Sequence, residues 1–174
     1  MNQNKINYYV IADTHFNHWE MQKLCNRPED FEDKIYSQLM KLSANDVLLH
    51  LGDICIGKDS EMHEKYIKPL WCRKILVRGN HDEKTNTWYL RNGWDFVCES
   101  IVDNMFGKKI LFSHKPISYD NNYDINIHGH LHNTPHRDGE YLLTKNYKQR
   151  LYACEDFHYK PMLVRYFVEG ICIR

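Results

Sequence analysis

The chain carries no surplus charge of either sign: 23 Lys+Arg face 23 Asp+Glu, a formal net charge of zero. That excludes the broad basic field behind strong general nucleic-acid binding. It has no Cys-x-x-Cys pair. Its six cysteines, Cys25, Cys55, Cys72, Cys98, Cys154 and Cys172, are scattered without a compact framework. They read as reduced thiols of a cytoplasmic protein, not as a disulfide scaffold, and a closed zinc site is disfavoured because none is paired beside the histidines. No apolar run approaches the length that spans a bilayer, and the polar segment Met1–Asn7 lacks the hydrophobic stretch of a signal peptide. There is no repeat, low-complexity tract or Pro/Gly/Ser linker, so the 174 residues, 43% of them hydrophobic, are expected to form one domain over 1–174.

What is present is an alternation of elements. Tyr8–Ala12 and Val47–Leu51 are short β-prone runs that stop at Asp13 and at Gly52-Asp53. Between them Phe31, Ile35, Leu39 and Leu42 recur at helical spacing after Pro28 and the acidic start Glu29-Asp30. Ser60 is expected to cap a second helix carrying Met62, Tyr66, Ile67 and Leu70, followed by a buried strand over Lys74–Val77. From Trp94 onward the pattern predicts closely spaced strands at Phe96–Val102, Lys109–Ser113, Ile125–His128, Leu151–Cys154 and Met162–Val168, with a turn near Asn104–Lys108. That spacing predicts a second, largely antiparallel sheet.

Polar clusters sit where these strands end: Asp13-Thr14-His15, Gly52-Asp53, Gly79-Asn80-His81-Asp82, His114 and Gly129-His130-Leu131-His132. Carboxylates, an amide and imidazoles in such numbers suit a pair of divalent cations, with one carboxylate shared and one His left for proton transfer. In an extended segment alternate residues point the same way, so Asp13 and His15 are expected to reach one cation, and His130 and His132 repeat the spacing with Leu131 turned to the core. Asp53 after Gly52 is the expected bridge, through its two carboxylate oxygens. Asn80 offers an amide oxygen, which Gly79 allows to turn inward. His114 completes the set.

These five blocks, in the order D-x-H, G-D, G-N-H-D, H and G-H-x-H from Asp13 to His132, resemble the calcineurin-like metallophosphoesterases. The resemblance implies a four-layer αββα sandwich of the α/β (α+β) class, two packed β-sheets flanked by helices. It implies that Asp13, His15, Asp53 and His132 hold one metal, and that Asp53, Asn80, His114 and His130 hold the other. His81 matches the residue that protonates the leaving oxygen, and Asp82 the neighbour that orients its ring. The cofactors implied are two divalent ions, Mn2+ first, with Fe, Zn or Ni as alternatives. The expected reaction is hydrolysis of a nucleotide-type phosphodiester by in-line attack of a metal-bridging hydroxide on a small phosphorylated substrate, with no membrane partner. A phosphomonoesterase or nucleotidase is the rival, and a non-catalytic metal-bound interaction module is the reading from another class.

Three more residues are candidates for substrate contact. His18 extends the first cluster, Arg27 offers a forked donor to phosphate near a helix start, and Lys115 follows His114. Lys145–Arg150, with three positive charges and Tyr147, reads as a solvated face or a nucleotide contact. His63, His136 and His158 have no motif context and read as structural, and His128 is expected to pack near the site without binding metal.

Overall fold

Strand β1, Tyr8–Ile11, pairs in parallel with β2, Val47–His50, from Tyr8 opposite Val47 to Ile11 opposite His50. The computed structural model describes residues 6–117, 122–133 and 147–170. All four residues of β2 are buried, as a strand covered on both faces requires. Strand β3, Arg73–Val77, pairs in parallel with β2, and β4, Phe96–Cys98, with β3.

Helices connect these strands. A single turn, α1 (Met21–Leu24), precedes α2 (Phe31–Leu39), which buries Phe31, Ile35 and Leu39 at the expected spacing. The third helix differs from expectation. It begins at Asp59, not after a Ser60 cap: Lys58 holds the cap position in a left-handed conformation with no side-chain bond, and α3 (Asp59–Met62) widens into a π-turn over His63–Ile67. A short α4, Asn86–Arg91, was not foreseen; Thr85 caps it by accepting from the Trp88 N–H at 3.2 Å.

The second half forms a mixed sheet, not a largely antiparallel one. The run Phe96–Val102 splits at Glu99, leaving β4 in the first sheet and sending β5 (Ser100–Met105) into the second. Strand β5 makes an antiparallel hairpin with β6 (Lys108–Ser113), closed by Phe106 and Gly107 at φ 54° and 73°. Strands β6, β7 (Ile125–His128) and β8 (Gln149–Leu151) are mutually parallel. Strand β7 is buried at all four positions, the signature of an interior parallel strand. Met162–Val168 is also corrected. Only β9 (Met162–Leu163) pairs, antiparallel to β1, before α5 (Val164–Glu169) buries Val164 and Phe167 and ends at Gly170 in a left-handed turn. Apolar β-branched content there matched a strand, while the i, i+3 spacing served a helix.

The sheets thus run β4-β3-β2-β1-β9 and β5-β6-β7-β8. One apolar cluster takes Val10, Leu48 and Leu76 from the first sheet, Phe112, Ile125 and Ile127 from the second, and Ile35 and Phe167 from helices. Burial of this shared core holds the α/β sandwich together. Among the described residues no helix is long and apolar enough to cross a membrane.

Candidate metal centre

Five strands, β1, β2, β3, β6 and β7, send their C-terminal ends to the polar clusters, so parallel pairing brings those ends to one rim. The first two exit loops run side by side. Asp13 N donates to Gly52 O at 2.9 Å, His15 N to Asp53 O at 3.1 Å and Phe16 N to Ile54 O at 2.9 Å. Thr14 is buried between them. Its hydroxyl donates to Ile54 O at 2.8 Å and lies 3.0 Å from His50 Nε2.

The backbone here is not extended. Asp13, His15, Asp53, His130 and His132 have φ of 54°, 49°, 56°, 72° and 51°. Left-handed conformations at non-glycine residues cost about 1–2 kcal/mol each, and a group of them at one rim is strain concentrated where side chains must be aimed. The D-x-H and H-x-H spacings therefore work through turns, with Thr14 and Leu131 buried beneath, and not through strand alternation. Gly52, at φ 91°, lies so close to Gly79 that a β-carbon would collide with the Gly79 backbone.

Two groups result. Ligand atoms of Asp13, His15 and His132 lie within 4.8 Å of one another, as do those of Asp53, His114 and His130. Asp53 joins them. Its Oδ1 accepts from His81 N at 2.9 Å, leaving Oδ2 at 3.8 Å from His15 Nε2 and 3.4 Å from His114 Nε2. One oxygen, not two, faces both groups. Asn80 Oδ1 stands 3.0 Å from His114 Nε2, and His130 Nδ1 is equally distant from that nitrogen. His114 Nδ1–H donates to Leu51 O at 2.7 Å, which turns Nε2 toward the site.

The electrostatics fit cations. Among the described residues, Asp13 Oδ1 and His15 Nε2, 4.0 Å apart, are buried without a hydrogen-bond partner. Orphaned acceptors of this kind are costly unless something positive lies between them. Burial by itself would depress His114, yet the hydrogen bond and charge of Asp53 and the charge of Asp13 carry it up to about 9. Burial raises Asp53, but the hydrogen bond and charge of His114 hold it below the usual carboxylate range. The pocket accumulates positive charge around its carboxylates, a role two divalent ions would take over.

Other candidates take different places. His81 is on the rim with its side chain 44% exposed and Nε2 3.9 Å from Asp53 Oδ2. Asp82 does not orient its ring: Oδ2 accepts from Asp53 N and Gly79 N, both at 2.8 Å, and Oδ1 from Ile54 N at 3.1 Å. Burial raises this carboxyl to about 6. Arg27 does not reach for phosphate, because its side chain is fully buried and its donors go to Thr14 O, Asp13 O and Glu155. His18 lies against His15 with its ring tilted by 53°, its Nδ1 3.4 Å from His15 Nδ1 and its Nε2 3.6 Å from Glu20. Lys115 is exposed beside His114.

His63 is buried, with Nδ1 2.8 Å from Asp59 O, and His128 is buried with Nδ1 3.0 Å from Gly129 O, so both are structural. Lys145, Asn146 and His136 lie outside the described residues, while Arg150 donates to Tyr147 O and Phe167 O. Sequence reasoning missed Glu155 and Cys25, which meet His132 on its far side, and no motif marks either.

The chain is 29% identical over 181 residues to an uncharacterized protein of Methanocaldococcus jannaschii, covering 95% of this chain and 94% of that one. The crystal structure of a protein of unknown function from Aquifex aeolicus superposes with a TM-score of 0.75 at 29% identity, covering 97% of this chain and 100% of the other. The calcineurin-like phosphoesterase family model matches residues 6–152. With the five motif blocks converging on one rim inside that span, the chain belongs to the calcineurin-like phosphoesterase family.

Proposed function

We propose that this chain is a two-metal phosphodiesterase acting on nucleotide-type substrates. Asp13, His15, Asp53 and His132 would hold one cation, and Asp53, Asn80, His114 and His130 the other. The observation that carries the reading is Asp53 Oδ2, which lies within 4 Å of imidazole nitrogens from both groups. Mn2+ is the expected ion at both positions, with Fe, Zn or Ni as the alternatives, and the five free cysteines among the described residues favour the reducing cytoplasm as its compartment.

Bound there, two divalent ions supply Lewis acidity, which lowers the pKa of water and offsets charge on phosphoryl oxygens. The protein's own residues do the rest. Asp53 and Asp13 present negative charge inward while the surrounding amides fix their angles. His81, open to solvent at the mouth, carries the proton for the leaving oxygen. Lys115 and His18, at the edges, are the remaining residues proposed for contact with substrate.

Metal-supplemented protein incubated with bis-p-nitrophenyl phosphate and, separately, p-nitrophenyl phosphate tests the reading. Faster diester hydrolysis supports it. Preference for the monoester turns the assignment to a phosphomonoesterase or nucleotidase, and metal uptake without turnover of either leaves a binding module.

A further inference from the structure

Glu155 lies beyond the residues that match the family, yet its side chain is only 5% exposed and sits against the candidate centre. Its Oε1 accepts from Arg27 Nε at 2.7 Å and lies 3.5 Å from His132 Nδ1. Arg27 is committed at every edge of its guanidinium, with Nη1 donating to Thr14 O at 2.9 Å and Nη2 to Asp13 O at 2.7 Å. Phe31 packs under it, 5.1 Å from ring centroid to the guanidinium carbon. One buried cation thus ties two consecutive carbonyls of the first loop to the carboxylate facing His132.

The two nitrogens of His132 look in opposite directions. Nε2 is 3.9 Å from Asp13 Oδ1, and Nδ1 faces Glu155. An imidazole binds a cation through the lone pair of one nitrogen, so the other nitrogen keeps its proton and, when buried, requires an acceptor. Among the described residues, His132 Nδ1 and Glu155 Oε2 are buried atoms without a hydrogen-bond partner, and Glu155 Oε1 is the carboxylate oxygen that approaches Nδ1, with Cys25 also beside the ring. We propose that Glu155, clamped by Arg27, is a positioning residue that accepts the Nδ1–H of His132 and so aims Nε2 at the cation shared with Asp13 and His15. Carboxylates in this outer position fix ring orientation and make the imidazole a better donor. Arg27 also holds the Asp13 carbonyl, so one clamp sets two of the three ligand side chains in that group.

Cys25, His132 and Glu155 also present ligand atoms within 4.8 Å of one another, which by itself describes a third cation site. The guanidinium on Glu155 opposes that use, since a divalent ion there would face a fixed positive charge.

The inference rests on the two-cation reading above, and the test separates them. Metal-free protein is titrated with Zn2+ against a chromogenic chelator, and the parent is expected to take up two equivalents. In Glu155→Gln, which keeps an oxygen for Arg27, one equivalent should bind about 10–100-fold more weakly and the other as before. Glu155→Asp, which keeps the charge but withdraws it from His132, should weaken the same equivalent if the Gln variant folds poorly. In the Zn2+-loaded parent labelled with 15N-histidine, the His132 Nδ1–H should give a slowly exchanging signal that the variants lose. Unchanged affinity for both equivalents overturns the role of Glu155, as does uniform weakening with the His132 signal intact. A third equivalent in the parent also overturns it, since Glu155 would then be a ligand. Fewer than two equivalents in the parent overturns the two-cation reading instead, and the His132 signal still decides on Glu155.

Discussion

Asp82 accepts the backbone N–H of Asp53 at 2.8 Å, so the last residue of the G-N-H-D block anchors the residue at the centre of the site. The same carboxylate takes the amides of Ile54 and Gly79 at 3.1 and 2.8 Å. It staples the β2 exit loop to the β3 exit loop. Asp82→Ala leaves the buried N–H groups of Asp53 and Ile54 and the half-buried one of Gly79 without an acceptor, at about 1–3 kcal/mol for each buried group before relaxation. Urea unfolding of the metal-free variant should show a loss of at least about 3 kcal/mol, with parent-like stability counting against the assignment.

His81 is the complementary case. It is exposed, and its removal takes no support from the loops. His81→Ala is expected to bind both metal equivalents and to lose turnover by about 10²–10⁴-fold, most severely for alkyl diesters with poor leaving groups. Hydrolysis of a simple alkyl diester at the parent rate contradicts a proton-donor role.

Chelation should act on stability as well as activity. Cations that bind the folded chain alone stabilise it by about 2.7 kcal/mol at a hundred times Kd. Dialysis against EDTA is expected to abolish hydrolysis and lower the melting temperature, and added Mn2+ to restore both. Asp53→Ala removes the shared oxygen and should abolish the metal-dependent rise in melting temperature.

Gly52 and Gly107 both have positive φ, 91° and 73°, yet only one is crowded. A β-carbon at Gly52 collides with the Gly79 backbone, whereas at Gly107 nothing lies within 4 Å. Gly107→Ala should cost about 1–2 kcal/mol from strain alone. Gly52→Ala should be at least twice as damaging by denaturant titration, because two loops must separate.

The pH dependence has a buried contributor. His50 accepts from Gly52 N at 3.2 Å, contacts the Thr14 hydroxyl, and is pushed by burial from 6.5 down to about 3. It is neutral in the folded chain and protonated in the unfolded one between those values, so unfolding takes up a proton. Its contribution to stability is complete above pH 6.5 and is lost as pH falls toward 3, with a slope of up to about 1.4 kcal/mol per unit. His50→Gln should flatten melting temperature against pH in that window, and an unchanged slope would show that His50 titrates normally.

The strands β1, β2, β3 and β7 were legible as short β-prone runs that stop at polar clusters, and α2 as an apolar stripe. The parallel order of β6, β7 and β8 was not, because a four-residue buried run carries no sign of its direction. Nor was α5, because its β-branched apolar content reads as a strand and the i, i+3 pair Val164 and Phe167 is too short a pattern to mark a helix until packing buries both. At the site the same division holds. Arg27 was visible as a cation near a helix start, but its burial reversed the reading, turning a donor for substrate into a clamp on Asp13, Thr14 and Glu155.

Residue types and their order determined the chemistry: carboxylates, an amide and imidazoles in five blocks suit divalent cations wherever they meet, because donor chemistry belongs to the side chain. Tertiary structure alone decided which atoms meet. Left-handed turns aim Asp13, His15, His130 and His132, one Asp53 oxygen faces both groups, and Glu155 approaches His132 from a stretch without any motif. Those relationships cross up to 142 positions of chain, as from Asp13 to Glu155, and only burial in a shared core brings such distant segments within hydrogen-bonding reach of a common partner.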